Sequence, residues 1–223
     1  MKLRTCRVLT TLAAALLFLA MTAQTGSAQV GNLYMSIAGG VLVPDDIDTN
    51  VPGILSEKDE VKTGAGFTLA VGYDTPIGLR VEGEFGYGRT SFGNFSGTAL
   101  GVPFSGDASD IDINIYTFSV NAFYGFTLPG SPIVPWLGGG IGLGHIEQES
   151  GTIIENGIAF SRASSSTTDF SANGQVGIDF ELSKNFVIVP SYRFLWINSG
   201  DDFTDDFIAH TFWLGLRYNF TVL

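Results

Sequence analysis

Histidine is the side chain most often used to move protons near neutral pH, and this 223-residue chain has two, His145 and His210. A catalytic histidine needs a nucleophile and an orienting acid within reach. His210 is followed by Thr211, and the carboxylates that could stand near a histidine, Asp169, Asp205 and Asp206, come with no serine motif. The spacing does not specify a triad. Thiolate chemistry has one candidate, Cys6, which lies among the first basic residues and is followed by no lipobox. Two acidic groups, Asp45, Asp46 and Asp48, then Asp201, Asp202, Asp205 and Asp206, have the oxygen ligands that calcium or bridged phosphates take, without the spacing of a calcium loop. The best-defined constellation is a set of charges at alternate positions. Arg80, Glu82 and Glu84 fall in one run, Asp179 and Glu181 in another, with Arg193 and Arg217 in two more. On β-strands, alternate residues share a face.

Strands are what the flanking residues predict. Strict alternation of apolar with small or polar residues runs through eight segments: Leu33–Leu42, Gly64–Asp74, Leu79–Arg89, Ile113–Phe126, Val134–Ile146, Asp169–Glu181, Phe186–Ile197 and Ile208–Phe220. Ile113 and Ile115 have the opposite parity to Tyr116, Phe118 and Val120, which a β-bulge or a later strand start would explain. Three short connections, near 75–78, 128–133 and 182–185, alternate with the long polar stretches 43–63, 90–112, 147–168 and 198–207. Each segment is close to the roughly 9–11 residues that a tilted strand needs to cross a bilayer.

The N-terminus reads as a secretory signal. Lys2, Arg4 and Arg7 precede the apolar run Leu12–Met21, and Gly26-Ser27-Ala28 offers small residues for cleavage before Gln29. The expected division is a signal peptide over 1–28 and a single domain over 29–223. Loss of the three basic residues leaves eight cations against 22 carboxylates, a net charge of −14, with no thiol remaining. That balance argues against nucleic acid. The 29 glycines, 18 Phe and 15% charged residues suit a wall of strands facing lipid outside and packing small residues inside. With no further long apolar run, a membrane-embedded form must be a closed barrel, because backbone polar groups in lipid must pair.

Three stretches carry a family resemblance. Phe212, Leu214, Leu216, Tyr218 and Phe220 occupy alternate positions, and this row resembles the C-terminal insertion signal of bacterial outer-membrane barrels, although Thr221-Val222-Leu223 follow it. Residues 116–126 followed by Pro135-Trp136-Leu137-Gly138-Gly139-Gly140-Ile141-Gly142 are similar to the fourth strand, turn and glycine-rich fifth strand of the opacity-type, OmpA-like barrels. Ser191-Tyr192-Arg193-Phe194 and Gly215-Leu216-Arg217-Tyr218-Asn219-Phe220 are similar to that family's last hairpin. The resemblance implies an all-β fold: an eight-stranded antiparallel up-and-down transmembrane β-barrel preceded by a cleavable signal peptide. It also implies that outer-membrane lipid, lipopolysaccharide and the barrel-insertion machinery are partners.

In such a barrel Arg80, Glu82, Glu84, Asp179, Glu181, Arg193 and Arg217 point into the lumen. Eight strands leave an interior that side chains fill, and buried charges must pair. The expected role is a structural salt-bridge core, with a gate as the alternative. The leading function is non-enzymatic, a structural or surface-interaction role in which long loops contact host or environmental ligands. A small porin for ions or solutes is the alternative, and a lipid-modifying enzyme a distant third. No cofactor or metal is implied.

Overall fold

A computed structural model describes residues 31–108, 111–127, 130–155, 158–198, 200 and 205–220. The expected signal peptide with Cys6 and the cleavage position, the acidic pair Asp201-Asp202 and the tail Thr221–Leu223 lie outside the described residues. Thirteen strands are described, all paired antiparallel: β1 (Asn32–Pro44), β2 (Ile47–Val51), β3 (Leu55–Val61), β4 (Gly64–Asp74), β5 (Leu79–Ala99), β6 (Val102–Asp107), β7 (Asp112–Gly125), β8 (Ile133–Gln148), β9 (Gly151–Glu155), β10 (Ile158–Arg162), β11 (Ser165–Glu181), β12 (Phe186–Ile197) and β13 (Phe207–Asn219).

Eight of these close a ring in the order β1, β4, β5, β7, β8, β11, β12, β13, and β13 pairs back onto β1 from Tyr34↔Asn219 to Pro44↔Ala209. Closure leaves no edge strand in the ring, the condition for a sheet to stand in lipid. The alternation decides the facing. Leu69, Val71, Ile141 and Leu214 are exposed on the outer surface, whereas Thr68, Ala70 and Thr211 are buried inside. Two aromatic belts bound the apolar band. Tyr87, Tyr116 and His145 lie side by side on neighbouring strands at one end, with ring centroids 5.2 and 6.0 Å apart. At the other end Phe186 on β12 meets Tyr218 on β13 at 5.1 Å, and Phe220, two residues on, lies 5.0 Å from Tyr218. On β7, Tyr116 and Tyr124 are eight residues apart, roughly 27 Å along the strand and about 20 Å after a 40° tilt, which suits an apolar band of about 25 Å.

The inner surface is packed by complementarity between strands. A Cβ on Gly140 would fall 1.9 Å from Oδ1 of Asn121, which is fully buried beside it. A Cβ on Gly144 would meet Ile197 at 2.6 Å. The glycines of β8 therefore make the room that larger inward side chains of β7 and β12 occupy.

Two sequence expectations change. The stretches 43–63, 90–112 and 147–168 are not polar loops throughout. They carry β2, β3, the upper half of β5, β6, β9 and β10, a sheet in the order β10-β9-β6-β5-β3-β2 that continues above the barrel. The strand expected to end at Arg89 runs on to Ala99. Its pairing with β3 shifts register between Asp59 and Val61, so that Phe92 and Phe95, three residues apart, are both buried. Second, β7 keeps an unbroken register with β5 and β8 from Ile113 onward, with no bulge. Ile113 and Ile115 have inward parity because the lumen itself turns apolar at that end. With Leu42, Leu195, Ile197, Phe207 and Ala209 they form one cluster, continued above by Val61, Phe92, Phe95 and Ile111.

Candidate functional site: the charged lumen

Below the apolar cluster the lumen is polar. β5, β11, β12 and β13 each aim a charge inward because their alternation places it opposite the lipid-facing row. Arg80 and Arg217 converge on a single oxygen: Nη1 of Arg80 and Nη2 of Arg217 each lie 2.7 Å from Oδ2 of Asp179. Arg193 pairs with Glu84 through Nη2 and Oε2 at 2.5 Å. All five side chains are buried. Glu82 has no ionic partner of this kind. It accepts from the Tyr34 hydroxyl at 2.8 Å and from Nδ2 of Asn121 at 3.3 Å. An amide chain extends from there, Gln175 donating to Asn173 at 2.9 Å and Asn173 to Asn121 at 3.0 Å.

Six of the seven charges named from the sequence thus line one interior, and they balance: three guanidinium groups against Glu82, Glu84 and Asp179. Glu181 shares their face but stands at the end of β11, exposed and outside the cluster, because the strand has passed the mouth of the barrel. Glu82 and Arg217, both on the lumen face, do not pair with each other. Arg217 reaches Asp179, and its guanidinium also lies 5.3 Å from the Tyr34 ring centroid. Sequence reasoning missed the aromatic floor under the arginines. Arg80 lies over Trp136 and Phe123 at 5.0 and 5.6 Å, and Arg193 over Trp213 at 5.8 Å. The signal was present, since Phe123, Trp136 and Trp213 have inward parity, opposite to Tyr116, Phe118 and Tyr124 on β7, His145 on β8 and Phe212 and Tyr218 on β13.

These contacts fill the channel. The space left among them is a cavity of about 60 Å³, room for a few waters, each needing roughly 10–15 Å³ of such space. The Nε groups of Arg80, Arg193 and Arg217 and the indole N–H of Trp213 make no hydrogen bond to protein, which leaves donors facing the lumen.

At the rim, the two histidines have hydroxyl and carboxylate neighbours. His210 is bracketed by Tyr192, whose hydroxyl is 2.6 Å from Nδ1, and by Asp45, 3.7 Å from Nε2. The acid beside it is therefore Asp45, rather than Asp205 or Asp206, and the hydroxyl is a phenol. His145 meets the Thr168 hydroxyl at 2.6 Å, while Asp169 accepts from Thr167. No group of three or more metal-ligating side chains is found among the described residues. Above the membrane, a hydrogen bond from Lys58 to Asp46 holds that ammonium above its usual pKa. The C-terminal row faces outward as expected, with Phe212, Leu214, Leu216 and Tyr218 exposed and Phe220 half-buried.

Comparison with known proteins agrees with this geometry. Residues 11–220 match the model of the outer membrane protein beta-barrel domain. The chain is 25% identical over 159 residues to the outer membrane protein PagN of Salmonella typhimurium, covering 69% of this chain and 65% of that relative's own length. Among solved structures it is similar to Neisserial surface protein A, with a TM-score of 0.53, 16% identity, and coverage of 85% and 97% of the two chains. It is also similar to the outer membrane protease OmpT of Escherichia coli, with a TM-score of 0.54, 10% identity, and coverage of 88% and 99%. Likeness at these identities speaks to fold.

Proposed function

This chain belongs to the outer membrane protein beta-barrel family, and from that premise we propose that it is a non-catalytic, non-conducting surface protein whose working part is the sheet above the barrel. Its residence is the bacterial outer membrane. One observation carries the reading: the lumen is closed twice, by the Arg80–Asp179–Arg217 and Arg193–Glu84 pairs below and by Ile113, Ile115, Ile197 and Leu42 above. A barrel closed in this way offers no path, so what remains to meet other molecules is its exterior.

The exterior is chemically one-sided. Of the 22 carboxylates, 17 lie within 45–63, 89–112, 145–169 and 198–210, against four cations, Lys58, Lys62, Arg89 and Arg162, a net charge of −13. Such a surface repels polyanions, so the host or environmental ligands it meets are neutral or basic. The barrel fold alone does not exclude catalysis, since a protease shares it. The argument against an enzyme is local: among the described residues the hydroxyls hydrogen-bonded to His210 and His145 are the Tyr192 phenol and Thr168, not a serine.

The test has two arms. The refolded protein in a planar bilayer is expected to show no steady conductance. Cells displaying it on their surface are expected to attach to a target surface, and to lose attachment when β2–β3 and β5–β6 are shortened to tight turns. Steady ion-selective conductance without attachment would instead establish the porin alternative.

A further inference from the structure

The hairpins that rise above the barrel change chemistry at their ends. In a region of net charge −13, no charged residue occurs between Asp48 and Glu57 or between Arg89 and Asp107. The first interval holds the β2–β3 turn and the second the β5–β6 turn. The two turns are joined, since the backbone N–H of Leu100 donates to the carbonyl of Ile54 at 2.8 Å. Together they present Ile54, Leu100 and Val102 at 57, 76 and 66% exposure. Pro52 and Pro103 lie beside them.

Leu100 is notable for its backbone as well. Its φ of 50° is the only positive value for a non-glycine residue among the described residues. Glycine or asparagine fits that conformation more easily. Leu100 and Gly101, at φ 50 and 80°, are the two central residues of the β5–β6 hairpin, whose tight turn demands positive φ at both. The turn explains the backbone but not the side chain, an exposed leucine where a polar residue would serve as well.

Depth and charge say what such a tip fits. The paired turns stand eleven residues beyond Arg89 along β5, roughly 35 Å of strand past the level of the aromatic belt. An exposed, uncharged apolar tip fits an apolar medium. The uncharged depth is limited. From Glu57 to Ile54 is three residues, roughly 10 Å of strand, which matches the 5–10 Å to which interfacial apolar groups sink between headgroups and acyl chains. Below that depth stands a collar of Asp48, Glu57, Asp59 and Asp107, with Lys58 engaged by Asp46. A net acidic collar is repelled by an anionic lipid surface and tolerates a zwitterionic one.

We propose that the joined β2–β3 and β5–β6 turns insert Ile54, Leu100 and Val102 into the zwitterionic bilayer of an apposed membrane, with the acidic collar setting the depth. This rests on the surface-contact reading and names its partner.

The experiment uses the full mature chain in nanodiscs, challenged with separate phosphatidylcholine vesicles. A Leu100→Trp variant, with Val102→Trp as a second probe should the first misfold, places a reporter at the tip. Its fluorescence is expected to shift to the blue and to be quenched when the vesicles contain brominated phosphatidylcholine. Replacing part of that lipid by phosphatidylserine is expected to weaken both effects. Leu100→Asp is expected to lower vesicle capture by about tenfold, as loss of one buried apolar side chain and gain of a charge require. A folded Leu100→Trp protein that brominated lipid leaves unquenched overturns the proposal. So does capture that increases with phosphatidylserine, or pairing of nanodiscs with each other through these turns when no vesicles are present. The two readings fail differently. Attachment that survives Leu100→Asp but is lost on shortening the hairpins sinks the lipid partner alone, whereas a wild-type protein that never attaches sinks the surface-contact reading.

Discussion

Arg217 reaches past β12 to place its Nη2 2.7 Å from Oδ2 of Asp179 on β11. Arg80 meets the same oxygen from the far side of the lumen, so one carboxylate holds two guanidinium groups. Asp179 is the member of the cluster whose loss leaves the most charge uncompensated.

Asp179→Asn is therefore expected to destabilise the barrel by about 3–5 kcal/mol, the usual cost of breaking a buried pair from one side. Glu82→Gln, which disturbs hydrogen bonds to neutral donors, is expected to cost about 0.5–1.5 kcal/mol. Urea unfolding of the refolded protein measures both. In double-mutant cycles with Arg217→Met, Asp179 is expected to show the larger coupling. A stronger coupling of Arg217 to Glu82 would mean that the lumen partners are wrongly assigned.

The two closures make a prediction about conduction. Breaking the charged one alone, by Asp179→Asn, is expected to leave planar bilayers silent, because Ile113, Ile115 and Ile197 still seal the outer half of the lumen. Conductance is expected only when Ile115→Ser is added. A current through the Asp179→Asn barrel by itself would show that the apolar cluster is no barrier.

Facing is tested at Leu214, which is 64% exposed on the outer surface midway between the aromatic belts. Leu214→Arg is expected to cost about 2–4 kcal/mol in a bilayer, and the same change at Tyr218, by the lower belt, about 0–1 kcal/mol. Equal costs at both depths would contradict the placement of the membrane.

Glycine packing gives a sharper contrast. Gly140→Ala drives its Cβ into Asn121 and the Val120 carbonyl and is expected to destabilise by about 1–3 kcal/mol. Gly174→Ala, where a Cβ meets nothing within 4 Å, is expected to be neutral or to stabilise by up to about 1 kcal/mol. Thermal shifts of the two variants in detergent should differ in sign or clearly in size.

Sorting is tested at the C-terminal row. Phe220→Ala is expected to lower the amount of heat-modifiable protein in the outer membrane and to leave unfolded chain in the periplasm. Undiminished outer-membrane protein would show that Phe220 is not what the insertion machinery reads.

The strand pattern was legible where one periodicity governed both faces. Gly64–Asp74 and Phe186–Ile197 coincide with β4 and β12 end to end, because lipid outside and a small or polar lumen inside impose a single alternation. It failed at Ile113 and Ile115, where the lumen turns apolar while Asp112 and Asn114 hold the other face, so the polarity of the two faces inverts and parity names the wrong side. It failed again above Arg89, where the extra residue near Gly93 changes the phase and hides Phe92 and Phe95 inside an apparently polar run. Facing of the lumen charges could be read, but partners could not. Whether Arg217 meets Glu82 or Asp179 depends on the stagger between strands that are not neighbours, and no residue type encodes that distance.

The pairing of β1 with β13 sets the order of assembly. Tyr34 and Asn219 are 185 positions apart (219 less 34), whereas each other seam of the ring joins strands that follow one another around the barrel. Hairpins such as β12–β13 can register early and cheaply, but the closing seam has to wait for the last strand to exist and to find the first. Until then both outer strands are open templates for any other chain. The protein is therefore at its most aggregation-prone as a nearly finished sheet, in the interval before β13 meets β1, and a holdase that protects it in transit must cover those two strands and let go of both together.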